Sequence, residues 1–92
     1  MSYKIKLSPD AEKHLNEWKH SGQITVLHKL AKLFGELEIH PMTGMGKPER
    51  LRGELQGFWS RRITKADRMV YCIQGDEVLV SVVSLKGHYG DK

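Results

Sequence analysis

A chain of 92 residues, 39% hydrophobic and 28% charged, has the composition of one globular domain spanning 1–92; it excludes a disordered chain and an assembly of several domains. One cysteine, Cys72, excludes a disulfide framework within the chain, and no apolar run approaches the roughly 18 residues that a membrane-crossing helix needs. Fifteen Lys plus Arg against eleven Asp plus Glu leave a net charge of +4, which alone does not separate a solubilising surface from a phosphate-binding one.

Met1-Ser2-Tyr3-Lys4 leads straight into patterned sequence and lacks the apolar core of a signal peptide, so a cytoplasmic protein without a membrane partner is expected. Tyr3-Lys4-Ile5-Lys6-Leu7 alternates apolar and charged residues, the pattern of a half-buried strand. Ser8-Pro9-Asp10 then reads as a helix start: a capping hydroxyl, a proline suited to the first turn and a carboxylate that complements the helix dipole. Ala11, Leu15 and Trp18 give that helix an apolar stripe to about His20, where Ser21-Gly22 breaks it. A second helix follows, with Ile24, Leu27, Leu30, Ala31, Phe34 and Leu37 at three- and four-residue steps, a stripe for covering a sheet. From Ile39 to Pro48 the chain is loop-like, punctuated by Pro41, Gly44, Gly46 and Pro48. Strands are expected over Glu49 to Leu55, Phe58 to Ile63, Arg68 to Ile73 and Glu77 to Ser84, with Gly75-Asp76 as a hairpin turn. The order strand, helix, helix and four strands predicts an α+β domain, a twisted antiparallel sheet with both helices on one face.

Charge is concentrated where the strands begin. Lys47, Arg50, Arg52, Arg61, Arg62, Lys65 and Arg68 face only Glu49, Glu54 and Asp67 over the same stretch, an excess that suits a phosphate-bearing partner. Within Phe58 to Ile63, strand alternation puts Phe58, Ser60 and Arg62 on the face away from the helices and Trp59 and Ile63 toward them, with Arg61 expected to snorkel from the edge. The outer face then carries a ring for stacking, a hydroxyl and a guanidinium fork for phosphate. Arg68 neighbours Arg62 across a short hairpin, which suits either an anion between them or neutralisation by Asp67 or Glu54. Glu49 can accept a proton from a ribose 2′-hydroxyl, and His88, just past the last strand beside Tyr89, can give one near neutral pH. Each of these residues alone also suits a plainer role: a surface charge, an ion-pair partner or a free tail histidine. His14, His20, His28 and His40 read as surface or satisfied helix residues, and no spacing forms a metal site, so no metal or cofactor is expected.

Four blocks then combine: His40-Pro41 through Gly44, Gly46-Lys47-Pro48-Glu49 and Leu51; Gly57-Phe58-Trp59-Ser60-Arg61-Arg62-Ile63; Asp67-Arg68-Met69-Val70-Tyr71; and Lys86-Gly87-His88-Tyr89. In these blocks, and in element order over essentially its whole length, the chain resembles the YoeB/Txe toxins of the RelE superfamily. The resemblance implies a small RelE-like fold and a ribosome-dependent mRNA interferase of a type II toxin–antitoxin system. It implies a cognate antitoxin, ribosome and mRNA as partners, and it leaves open both operator DNA bound together with the antitoxin and a homodimer. By similarity Glu49 is the general base, His88 the general acid, Arg68 the transition-state stabiliser and Tyr89 an orienting residue. Lys47, Arg52, Phe58, Ser60 and Arg62 fall on the RNA-binding surface. Arg52 stands where members often carry lysine, Asp67 where many carry histidine, and Gly90-Asp91-Lys92 extends past the tyrosine where many relatives stop.

The implied chemistry is in-line attack of the 2′-oxygen on the adjacent phosphate, leaving a 2′,3′-cyclic phosphate. Two other readings stay open on the residues: a module that occupies RNA or the ribosome without cutting, and a co-repressor that binds DNA with its antitoxin.

Overall fold

The computed structural model describes residues 2–83. They form β1 (Lys4–Leu7), α1 (Pro9–Ser21), α2 (Ile24–Leu37), β2 (Glu49–Arg50), a short 3-10 turn (Gly53–Leu55), β3 (Phe58–Arg62), β4 (Arg68–Gln74) and β5 (Glu77–Val83). The five strands make one sheet in the order β1-β5-β4-β3-β2, and both helices contribute to the core on one of its faces.

The local signals act as their chemistry dictates. Ser8 caps α1 by accepting from the Ala11 N–H at 3.0 Å, and its hydroxyl donates to the Ser81 carbonyl at 2.7 Å, so one side chain starts the helix and ties it to β5. Gly22 ends α1 in the left-handed conformation at φ 73° that glycine adopts without a Cβ clash. One turn apart on α1, His14 and Trp18 hold both polar groups of the Val83 backbone. His14 Nδ1 accepts from the Val83 N–H at 3.1 Å, and Trp18 Nε1 donates to the Val83 carbonyl at 3.3 Å. The core joins Ala11 and Trp18 to Leu30, Leu33 and Leu37 over Met69, Tyr71, Val78 and Val80. On α2 the buried stripe runs Leu30, Leu33, Leu37; Ile24, at the helix start, and Ala31 face solvent.

The α+β architecture is as the pattern implies, with two departures. β1 pairs with β5 in parallel, Lys4 beside Glu77 through Leu7 beside Val80, so the sheet is mixed rather than wholly antiparallel. Alternation encodes which side chains face the core but not which neighbour a strand takes, and a crossover carrying helices is what parallel pairing requires. β2 is two residues long, not seven: after Arg50 the chain leaves the ladder, with one further bond from the Leu51 N–H to the Phe58 carbonyl at 2.9 Å, and turns at Gly53.

Candidate functional site

The site is assembled by register. Glu49 on β2 lies opposite Ser60 on β3, Ser60 opposite Val70 on β4, and Arg62 opposite Arg68. Because side chains alternate, Glu49, Phe58, Ser60, Arg62 and Arg68 all point to the sheet face away from the helices. There Arg68 Nη1 lies 3.5 Å from Glu49 Oε1 and donates to Ser60 Oγ at 3.2 Å. Ser60 is 1% exposed, so on this face its hydroxyl holds Arg68 in place instead of pointing outward. The partner of Arg68 is therefore Glu49, not Asp67 or Glu54. Asp67 is turned into the β3–β4 connection, where Oδ2 accepts from the Thr64 hydroxyl at 2.7 Å while Oδ1 has no partner among the described residues.

The Glu49–Arg68 pair is half open to solvent: 61% of the Glu49 side chain and 31% of the Arg68 side chain are accessible. Exposed pairs of this kind contribute about 0–1 kcal/mol, so an incoming phosphate can take the guanidinium and free the carboxylate at small cost. Lys47 and Arg52 are exposed on either side of β2, and Phe58 is half-buried. Beside them an open groove of about 1010 Å³ runs along the β2–β3 edge, lined by Pro48, Glu49, Leu51, Arg52 and Phe58. At its rim Arg50 stacks over Trp59, 5.5 Å from the ring centroid. His88 and Tyr89, expected as acid and orienting residue, lie outside the described residues.

Arg61 departs from expectation. It does not snorkel from an edge; it is fully buried. Its neighbours supply acceptors for all five N–H donors of a guanidinium. Nε donates to the Tyr71 hydroxyl at 3.0 Å. Nη1 donates to Glu36 Oε1 at 3.0 Å and to the Met45 carbonyl at 3.1 Å, and Nη2 to the Thr43 carbonyl at 2.7 Å and to the His40 carbonyl. The Tyr71 hydroxyl passes the chain on by donating to the Pro41 carbonyl at 2.6 Å, and Glu36 Oε1 also accepts from the Met45 N–H at 2.7 Å. A charge can be buried when it is paired and its donors are satisfied, and both conditions hold here. Gly44 closes the arrangement: its φ is 110°, and a Cβ there would overlap the Glu36 carboxylate. Sequence reasoning missed Glu36, Arg61 and Tyr71 as a unit. The signal was a ten-residue loop without regular structure, whose carbonyls had to find donors somewhere.

Ionisation follows these contacts. The Met45 N–H, reinforced by the Arg61 guanidinium, holds the Glu36 carboxyl below its ordinary value of 4.5 against the opposing effect of desolvation. Burial raises the Tyr71 phenol, keeping it a donor to Pro41, and burial likewise raises the Cys72 thiol, which disfavours the reactive thiolate. A depressed carboxyl contributes stability above its unfolded value and loses it as pH falls through the folded value. Stability should therefore decline on acidification below about pH 4.5, and Glu36→Gln should flatten that decline. Thermal melts across pH 3–6 measure it (~3–6 brackets the carboxylate range); equal slopes for the two proteins would contradict it.

Comparison with known proteins agrees with this architecture. The sequence model of the "YoeB-like toxin of bacterial type II toxin-antitoxin system" matches residues 7–89. A Toxin YoeB of Mycobacterium bovis is 38% identical over 85 residues, covering 92% of this chain and 96% of that protein. Among solved structures, a YoeB/ParE toxin from Agrobacterium tumefaciens superposes with a TM-score of 0.82 at 30% identity, covering 94% of this chain and 99% of that one. A YoeB from Staphylococcus aureus, 27% identical, covers 97% of this chain and all of its own; it has been solved as a dimer, TM-score 0.78, and in a heterotetrameric complex with YefM antitoxin, TM-score 0.77. With a family model spanning nearly the whole chain and a relative of this identity, the chain belongs to the YoeB-like toxins of bacterial type II toxin–antitoxin systems.

Proposed function

We propose that this toxin is a ribosome-dependent endoribonuclease that cuts mRNA in the ribosomal A site and so stops translation. The observation that carries the reading is the convergence of Glu49 and Arg68 on one open sheet face, 3.5 Å apart, with Arg62 opposite Arg68 in register. A carboxylate next to a guanidinium, flanked by further arginine, is what 2′-hydroxyl attack on a phosphodiester needs. Glu49 takes the 2′-hydroxyl proton, the oxygen attacks the adjacent phosphorus in line, and Arg68 with Arg62 holds the charge growing on the phosphoryl oxygens. His88 protonates the departing 5′-oxygen and Tyr89 orients the reacting groups. Both proton carriers are side chains, so the cycle is written without a metal or cofactor. The products are a 2′,3′-cyclic phosphate and a 5′-hydroxyl. Lys47 and Arg52 bind the backbone to either side, and Phe58 offers its ring to a base.

The YefM complex of the Staphylococcus aureus relative supports a cognate antitoxin as partner here. An acidic, partly disordered antitoxin segment folding over the basic face would block the same site, and operator binding would need that complex. The dimer of the same relative supports self-association. Action on translating ribosomes places the toxin in the cytoplasm.

Arg68→Ala should lower cleavage in purified translating ribosomes by about 10²–10³-fold, the loss expected for one preorganised electrostatic donor. Arg68→Lys should recover only part of it, because an ammonium cannot offer a two-pronged fork. Full recovery by lysine would reduce Arg68 to a generic positive charge. A translation block with mRNA left intact would favour a non-cleaving module instead.

A further inference from the structure

Catalysis by Glu49 depends on the register of a strand two residues long. A slip of one residue in a strand turns every side chain to the opposite face. For Glu49 that would mean pointing toward the helices, away from Arg68. Two ladder residues cannot resist such a slip by themselves, so the register must be set from outside β2. On its C-terminal side, the Leu51 N–H bonds the Phe58 carbonyl. On its N-terminal side, the constraint comes from side chains. Met45 is held at both its N–H and its carbonyl, by Glu36 and Arg61, and the next carbonyl, that of Gly46, accepts from the Arg62 N–H at 2.8 Å. Only Lys47 and Pro48 separate that anchor from Glu49, and proline has a fixed φ while Lys47 is locked in the left-handed region at φ 53°. Upstream, the carbonyls of His40, Pro41 and Thr43 are fixed by Arg61 and Tyr71. Gly46 lies so close to β3 that a Cβ there would stand 3.0 Å from the Arg62 carbonyl, leaving the loop no slack toward the sheet.

We propose that Glu36, Arg61 and Tyr71 are positioning residues for cleavage: together they lock the loop preceding β2 and thereby set the register that presents Glu49 to Arg68 and to the substrate. The proposal rests on the ribonuclease reading above. The three residues touch neither substrate nor the reacting atoms. They act through the backbone of residues 40–46, from the buried side of the sheet. Their loss should lower turnover far more than RNA binding, because Arg62 and Arg68 are held by the β3–β4 ladder, whose register the loop does not set. A displacement near 1 Å at a reacting group costs on the order of 10²-fold.

The test compares wild type with Glu36→Ala, Glu36→Gln and Tyr71→Phe in single-turnover cleavage of mRNA on purified ribosomes, each rate taken per folded molecule. Lys6→Gln, which among the described residues breaks only the Lys6–Glu77 pair at the far edge of the sheet, is the control and should cut at the wild-type rate. Glu36→Ala and Tyr71→Phe should cut about 10–100-fold more slowly, with the ribosome concentration for half-maximal rate within about threefold of wild type. Glu36→Gln, which keeps the shared acceptor oxygen, should recover to within about threefold. Amide exchange adds a readout independent of cleavage: the Arg62 and Met45 N–H groups should exchange faster in Glu36→Ala than in wild type. Wild-type rates per folded molecule in Glu36→Ala and Tyr71→Phe, losses confined to binding, or unchanged exchange at Arg62 would each overturn the proposal. Wild-type protein that cuts nothing would instead sink the ribonuclease reading on which it rests.

Discussion

Glu49→Gln should lower the rate of mRNA cleavage by about 10²–10⁴-fold, the contribution typical of a general base, while leaving the fold intact. The amide is nearly the shape of the carboxylate but cannot take a proton from a hydroxyl. Glu49 lies at the open edge of the sheet with 61% of its side chain accessible, and among the described residues it pairs only with Arg68. A substitution at such a position usually changes stability by no more than about 0.5 kcal/mol, so lost activity would report chemistry. Glu49→Asp separates position from charge. It keeps the base but withdraws it by one methylene, and should lose on the order of 10²-fold. If glutamine cut as fast as wild type, Glu49 would be an ion-pair partner of Arg68 and nothing more. Single-turnover rates on purified ribosomes, with circular dichroism to confirm folding, provide the measurement.

The largest stability effect should come from Arg61→Leu. The substitution fills much of the same space but takes away the side-chain donor to the carbonyls of His40, Thr43 and Met45. Among the described residues it leaves the Tyr71 hydroxyl only its bond to the Pro41 carbonyl and the Glu36 carboxylate only that from the Met45 N–H. Removing one partner from a buried pair costs about 3–5 kcal/mol. Glu36 keeps a third of its side chain in solvent, which moves the expectation to the lower part of that range. In a domain this small, ~3 kcal/mol corresponds to a fall in Tm on the order of 10–20 °C. The matching change on the exposed face, Arg62→Leu, leaves no buried group unpaired and should shift Tm by only a few degrees. Similar melting temperatures for the two variants would mean that the buried guanidinium contributes little to holding the loop. Differential scanning calorimetry of the pair decides it.

What the sequence disclosed, it disclosed through local chemistry. Ser8, Pro9 and Gly22 bound α1 because a cap, a first-turn proline and a left-handed glycine act within a few residues of where they stand. That Phe58, Ser60 and Arg62 share the face away from the helices follows from alternation alone, and their alignment with Arg68 from the shortness of the Thr64-to-Asp67 connection. The remainder depended on partners far along the chain. Arg61 meets Glu36 and the carbonyls of His40, Thr43 and Met45, all on other elements, so a mid-strand arginine read by its average tendency is sent to the surface. The parallel pairing of β1 with β5 joins the two ends of the described chain, which no local pattern records. β2 stops after Arg50 although the sequence to Leu55 still alternates, because Gly53, at φ 69°, turns the chain out of the ladder. The basic strip is real but shorter by one member than its composition suggests, since Arg61 belongs to the core.

These features divide the molecule between two faces of one sheet. On the buried face, Arg61 and Tyr71 hold the loop; on the open face, the strand that the loop leads into carries Glu49 to Arg68. The central claim is that this open face cuts RNA, and the chemistry of the cut ends tests it most directly. Purified toxin added to translating ribosomes should yield new downstream fragments with a 5′-hydroxyl and upstream fragments with a 2′,3′-cyclic phosphate, and Glu49→Gln should yield almost none. Fragments bearing a 5′-phosphate, or translation halted on uncut mRNA, would contradict the account.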